Sequence, residues 1–173
     1  MLADDGYGLL SIAEVKPSQL TLFDCGKPHL NEFLVGSALP MHEKRLGLTN
    51  VVFHKDYDGV VGYFTLSNDA IPLKDSEKFD LGLNMEVSFT AFPAVKIGRF
   101  AVAKSLQGSG VGSAILEIVK GSILDSTSLS SSRLIVVDAD NDEKVIRFYK
   151  KHGFQKSLWA ESSERNHSGR TKR

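Results

Sequence analysis

The sequence predicts a mixed α/β sheet with helices on both faces. Short β-branched and aromatic runs recur at 49–53, 60–66 and 95–102. Amphipathic stretches at helical spacing are interleaved with them. A fully apolar run, Leu134–Val137, stands between two such stretches, as a strand buried on both faces does.

Gly8–Val15 is partly alternating and stops before Pro17, which predicts the first strand. Leu30, Phe33 and Leu34 make an i, i+3, i+4 stripe, so a short helix is expected over Pro28–Ser37, with proline in its first turn. Pro40–Leu46 reads as a second helix, richer in charge. The period then changes. Thr49–Phe53 and Val60–Leu66 are strand runs, and the turn-rich His54–Gly59 between them closes a hairpin. Residues 68–93 are less regular, with Met85–Phe89 a short strand candidate. Val95–Val102 is a strand in which Gly98 marks a bulge or a close backbone approach.

The strongest helix signal follows, with Val111, Ala114, Ile115, Ile118, Val119 and Ser122 on one face. Ser126–Ser132 is a serine-rich loop too short to link domains. Val145, Phe148 and Tyr149 set a helix over Glu143–Lys151, which Gly153 stops. Phe154 opens a further strand candidate. Residues 160–173 carry no large apolar side chain, and disorder is expected there. Residues 1–159 are therefore expected to form a single domain, followed by a polar tail over 160–173.

Lys+Arg and Asp+Glu both number 21, so the formal net charge is zero. That argues against a generally cationic nucleic-acid coat and leaves room for a local patch. Cys25 is the single cysteine, so no internal disulfide forms. It reads as a small buried side chain rather than a nucleophile. The five histidines show no metal-ligand spacing, and no metal is expected. No apolar run reaches about 18 residues, and the N-terminus lacks a basic leader region. No membrane association and a cytoplasmic location are the expectations.

Gln107-Gly-Ser-Gly-Val-Gly112 lies between a strand and a helix. Glycines there allow a tight turn, and backbone N–H groups at a helix N-terminus favour an anion such as a pyrophosphate. A plain flexible strand-to-helix turn is the alternative. No lysine follows Gly112, so a Walker loop is excluded; Gly108-Ser-Gly110 runs on to Ser113, so the dinucleotide fingerprint fails too.

The pattern [Q/R]xxGx[G/A], here Gln107, Gly110 and Gly112, resembles the pyrophosphate loop of the GCN5-related N-acetyltransferases, the GNAT superfamily. Phe100-Ala-Val102 resembles the end of that family's fourth strand. Asp138-Ala-Asp-Asn141 followed by Phe148-Tyr-Lys-Lys-His-Gly-Phe154 resembles its C-terminal half. Segments 23–34, 59–66 and 97–102 are similar to the branch that holds the acetyltransferase toxins of toxin–antitoxin pairs, which acetylate the α-amine of aminoacyl-tRNA. That branch also holds stand-alone enzymes.

The resemblance implies a GNAT fold: a mostly antiparallel sheet whose central parallel strands splay to open a cleft. It implies acetyl-CoA as co-substrate and an amine acceptor, aminoacyl-tRNA among the candidates. An antitoxin protein and a homodimer are the implied protein partners. It places the pyrophosphate on Gln107, Gly108, Ser109, Gly110, Val111, Gly112 and Ser113. The pantetheine arm lies along Phe100, Ala101 and Val102, whose N–H groups polarise the thioester carbonyl. Asn141 is either a pantetheine contact or a helix N-cap.

Tyr149 is the implied general acid, since a departing thiolate accepts a phenolic proton; a Phe-Tyr pair on a helix is also what core packing produces. Many relatives carry a glutamate on the fourth strand, but Val95–Val102 has no carboxylate. Glu86, in the preceding segment, is the remaining base candidate, or a solvated surface residue. Deprotonating a lysine amine of pKa about 10.4 at neutral pH costs on the order of 4 kcal/mol, whereas an α-amine near 7.7–8.0 is already partly neutral. The missing base thus leans toward an α-amine acceptor.

A transfer RNA acceptor needs a basic patch. Lys44, Arg45, Lys96, Arg99, Lys150 and Lys151 are the candidates, against scattered surface charge as the alternative. Relatives usually finish with a further strand after a tail like Ser168–Arg173, and none is expected here. The non-enzymatic alternatives are a binding module for acyl-CoA or a chain without turnover; a stand-alone small-amine or peptide acetyltransferase is the enzymatic one.

Overall fold

The computed structural model describes residues 2, 4–83, 89–124 and 131–160. The strand expected at Met85–Phe89 lies outside them except for Phe89, as do most of the serine-rich loop, the tail beyond 160 and Glu86.

Strand β1 (Tyr7–Ser11) is shorter than the expected Gly8–Val15. Ser11 accepts from Ala13 N–H, and the Glu14 carboxylate accepts from Ser11 N–H. This capping box turns the chain into a single 3₁₀ turn at Ile12–Glu14. After α1 (Pro17–Leu20), the two expected helices are one continuous path. It runs through α2 (Pro28–Glu32), a five-residue π-helical turn (Phe33–Ser37) and α3 (Ala38–Glu43). Pro40 sits in the first turn of α3, where its missing N–H is tolerated.

Strands β2 (Leu48–His54) and β3 (Tyr57–Ile71) form the predicted hairpin. Tyr57 pairs with His54, so the turn is tighter than expected, and β3 runs on well past Leu66. The irregular stretch contains α4 (Asp75–Asp80), opened by Glu77 accepting from Lys74 N–H. Strand β4 (Phe92–Val102), α5 (Val111–Leu124), β5 (Leu134–Val137) and α6 (Glu143–Lys151) follow in the expected order. Gly153 has φ +88°, the left-handed conformation that ends α6. Phe154 does not begin a strand: residues 154–157 have no regular structure, and a helical turn spans 158–160. The Phe154 ring packs edge-on against Tyr149 instead, 5.5 Å away.

The five strands lie in the order β1-β2-β3-β4-β5, antiparallel except for the parallel pair β4–β5. Two cores result, one on each face. Ile12, Leu20, Phe23, Phe33, Leu34 and Ala38 close over Val51, Tyr63 and Ala101 on the first. On the second, Val111, Ile115, Leu116, Val119 and Tyr149 close over Val52, Phe64 and Ile97. Each fully buried aliphatic or aromatic side chain contributes roughly 1.5–3 kcal/mol. The expectation for Leu134–Val137 needs correction. All four residues are only half-buried, because β5 is the edge of the described sheet and packs against one strand alone.

Candidate active site

Two irregularities in β4 make the cleft. Thr65 pairs with Arg99 and Leu66 with Ile97, so Gly98 is the extra residue of a β-bulge, one of the two roles its position implied. Beyond the bulge β4 loses its parallel neighbour. Ala94–Ile97 pair with Leu134–Val137, and there the pairing stops. Residues Gly98–Val102 continue on β3 alone. Their other backbone edge borders a cleft of about 1070 Å³ that runs to the N-terminus of α5. Phe100, Ala101 and Val102, which the resemblance assigns to the pantetheine arm, all line it.

The glycine-rich loop forms the far wall. Gly108 and Gly110 have φ +79° and +93°, which side-chain-bearing residues rarely adopt. The first hydrogen bond of α5 runs from Ala114 N–H to Gly110 C=O, so the N–H groups of Val111, Gly112 and Ser113 have no helical carbonyl ahead of them. The Gln107 side chain is engaged within the protein: its Nε2 donates to Cys25 O at 2.8 Å and Val102 O at 3.0 Å. It pins the loop to the end of β4 and to the segment before α2. Ser109 donates its hydroxyl to Leu106 O at 2.6 Å, and the Val111 side chain is core. Gln107, Gly108, Gly110, Gly112 and Ser113 line the cleft; Ser109 and Val111 do not.

Tyr149 reaches the cleft from α6. Its ring is held edge-on by Phe148, Phe154 and Phe100 at centroid distances of 5.1, 5.5 and 6.4 Å. Burial first, and then the Asp140 carboxylate nearby, push the phenol above its ordinary value. Tyr149 therefore stays protonated at any physiological pH. The core and catalytic readings are compatible, since the ring is packed and the same residue lines the cleft.

The acidic stretch after β5 is sorted residue by residue. Asp138 pairs with Lys96, which also pairs with Asp69 at 3.1 Å. Lys96 is thus held by two carboxylates, Asp69 foremost, and contributes little to a basic patch. Asp140 forms an ion pair with Lys27 across the cleft, and that contact holds its carboxyl below the usual range. Asp142, not Asn141, caps α6: its carboxylate accepts from Lys144 N–H at 2.7 Å and from Val145 N–H at 3.4 Å. A carboxylate two residues from a free N–H fits the cap better than the amide three residues away. Asn141 is exposed and does not line the cleft.

Several contacts lay beyond sequence reasoning. His152 bridges Ser113 Oγ at 3.0 Å and Glu117 at 3.2 Å, tying the end of α6 to the start of α5. Arg99 lies over the Phe33 ring, 5.0 Å from its centroid. Cys25 is buried, its thiol donates to Asn31 Oδ1 at 3.1 Å, and burial pushes it up, away from nucleophilic use. Among the described residues no helix is long and apolar enough to cross a membrane, and no group of three His, Cys, Asp or Glu gathers to hold a metal.

The cleft suits a polyanion with an extended arm. Lys27, Arg99, Lys104, Lys144 and Lys151 line it against Asp138 and Asp140, although the whole chain is neutral. Free N–H groups close one end and an unpaired strand edge runs along its length.

Comparison with known proteins matches this arrangement. The sequence model for the acetyltransferase (GNAT) domain covers residues 48–156. Among solved structures, a tyrosine-to-phenylalanine variant of KacT superposes with a TM-score of 0.69 at 23% identity, over 88% of this chain and 89% of that one. AtaT complexed with acetyl-methionyl-tRNAfMet superposes at 0.66 with 24% identity, over 88% of both chains. AtaTR bound with AcCoA gives 0.62 at 24% identity, over 87% of this chain and 86% of that chain. With the family domain spanning the bulged strand, the glycine-rich loop and the tyrosine helix, this chain belongs to the GNAT acetyltransferases, and its fold is similar to those of KacT and AtaT.

Proposed function

We propose that this acetyltransferase moves an acetyl group from acetyl-CoA to the α-amine of aminoacyl-tRNA in a direct ternary complex. The carrying observation is the cleft itself. It passes between β4 and β5, with Tyr149 and the glycine loop on one face of the sheet and Arg99, Lys27 and Leu30 on the other. Two substrates can therefore meet inside the sheet from opposite sides. The likeness to AtaT carrying acetyl-methionyl-tRNAfMet supports the choice of acceptor.

Acetyl-CoA, when bound, supplies the activated acetyl group as a thioester. The N–H groups of Gly108 and of residues 110–113 hold its pyrophosphate, and the backbone edge of Phe100–Val102 orients the arm and polarises the carbonyl. Gln107 keeps loop and strand in register through its two hydrogen bonds. Tyr149 donates its proton to the departing sulfur. The neutral α-amine forms the C–N bond as the C–S bond breaks and gives its surplus proton to water, so no strong base is needed, in keeping with a β4 that carries no carboxylate. An antitoxin partner belongs to the same reading; the KacTA–DNA complex is a similar structure. The engagement of Lys96 by Asp69 and Asp138 favours a second acceptor class, small amines or peptides.

The test is transfer of radiolabelled acetyl from acetyl-CoA to charged total tRNA, with uncharged tRNA and a mixture of small amines and peptides alongside. Label on charged tRNA alone is the expected result. Label only on small amines or peptides would replace the acceptor, and acetyl-CoA binding without any label would point to a binding module. The pH dependence gives a further check. Activity should rise with pH as the α-amine, of pKa about 7.7–8.0, loses its proton. Because the Tyr149 phenol is shifted up, its protonated form persists to higher pH, so no falling limb is expected through about pH 10. A limb falling below about pH 9 that disappears in Tyr149→Phe would contradict this.

A further inference from the structure

Arg99 follows the Gly98 bulge on β4, and it is the exposed end of a stack built from buried rings. Tyr63 is fully buried, and its hydroxyl donates to Leu30 O at 2.8 Å. Phe33 stacks on it with centroids 6.2 Å apart and planes 18° from parallel. The Arg99 guanidinium lies over Phe33 at 5.0 Å, and Nη1 donates to Gly98 O at 2.7 Å. Among the described residues no carboxylate forms an ion pair with it. An arginine that is exposed, unpaired with any such carboxylate and yet fixed at both its face and its edge is pre-ordered for a ligand. What remains open is the outer face of a planar cation, and it lines the cleft on the side of the sheet opposite Tyr149.

We infer that the Arg99–Phe33 stack is the specificity platform for the acceptor, taking the terminal nucleobase of the aminoacyl end on the guanidinium face. This rests on the aminoacyl-tRNA reading above. Bases stack on guanidinium planes as well as on aromatic rings, and a pre-ordered plane loses little freedom on binding. Lysine would keep the charge and lose the plane.

The test compares two amines that differ by the nucleoside. Puromycin carries an α-amine attached to a modified adenosine; O-methyltyrosinamide carries the same amine without it. The wild type is expected to show a KM for puromycin about tenfold or more below that for the amide. Arg99→Ala and Arg99→Lys should both bring the ratio close to one, while the melting temperature stays within about 2 °C, which reports intact folding. Retention of the ratio in Arg99→Lys would show that charge and not the plane matters, and would overturn the inference. Equal use of both amines by the wild type would overturn it while leaving acetyl transfer standing. Transfer to neither amine by a protein that still labels charged tRNA would overturn the platform and leave acetyl transfer standing.

Discussion

Tyr149→Phe is expected to lower kcat about 100-fold or more and to leave the KM for acetyl-CoA within about twofold. The asymmetry follows from how the residue is built into the protein. Its ring is fixed by three aromatic neighbours, and phenylalanine keeps all three contacts. Ground-state binding of the coenzyme uses the loop at 108–113 and the edge of β4, neither of which touches the phenolic oxygen. The hydroxyl is needed only when the sulfur leaves, so its loss belongs to the transition state and shows in kcat. Because a buried hydroxyl is removed and no ring contact is lost, the melting temperature should move by no more than about 2 °C. Steady-state kinetics with acetyl-CoA and the acceptor identified by the labelling experiment decides the matter. A kcat within threefold of wild type would assign the proton to another group and return Tyr149 to the core.

The local features of this site were legible because they are written in contiguous residues. The loop at 107–112 needs left-handed glycines at 108 and 110, and the sequence shows glycine at both. Gly98 pointed to a bulge or a close backbone approach, and Gly153 to the end of α6. The Ser11-x-x-Glu14 capping box was equally readable and would have ended the first strand four residues before Val15. Nonlocal partners were not legible. That the Gln107 side chain reaches a carbonyl 82 positions away was not readable from its neighbours. Lys96 looked free until the sheet brought Asp69 and Asp138 to it. Arg99 stood among the basic-patch candidates as a charge in an apolar strand; that it lies on Phe33 depends on how the π-helical turn packs across the sheet. Phe154 had the composition of a strand start, and its packing on Tyr149 overrode that preference.

Gly62→Ala is expected to destabilise the fold and weaken acetyl-CoA binding together, because Gly62 is where β3 sets the position of the cleft strand. It pairs with Val102 at the end of the unaccompanied part of β4. A Cβ there would stand 2.5 Å from the Ala101 carbonyl oxygen and 3.0 Å from Ile115 Cδ1. The isoleucine methyl can swing aside by a few tenths of an ångström. The carbonyl belongs to the backbone and moves only if β4 moves, on the segment whose other edge borders the cleft. Overpacking of this kind costs about 1–3 kcal/mol, which for a chain of this size lowers the melting temperature by roughly 2–12 °C. Gly121→Ala makes the control. It lies within α5 with nothing inside 4 Å of the new methyl, so the better helix propensity of alanine should raise stability by roughly 0.5–1 kcal/mol and leave binding alone. Thermal melts and calorimetry on both variants separate a strand displaced at the cleft from a general response to added volume. If Gly62→Ala melts within about 1 °C of wild type and binds acetyl-CoA normally, β4 is not held in place by that contact, and the geometry of the coenzyme edge must be set by the bulge at Gly98 and by Gln107 instead.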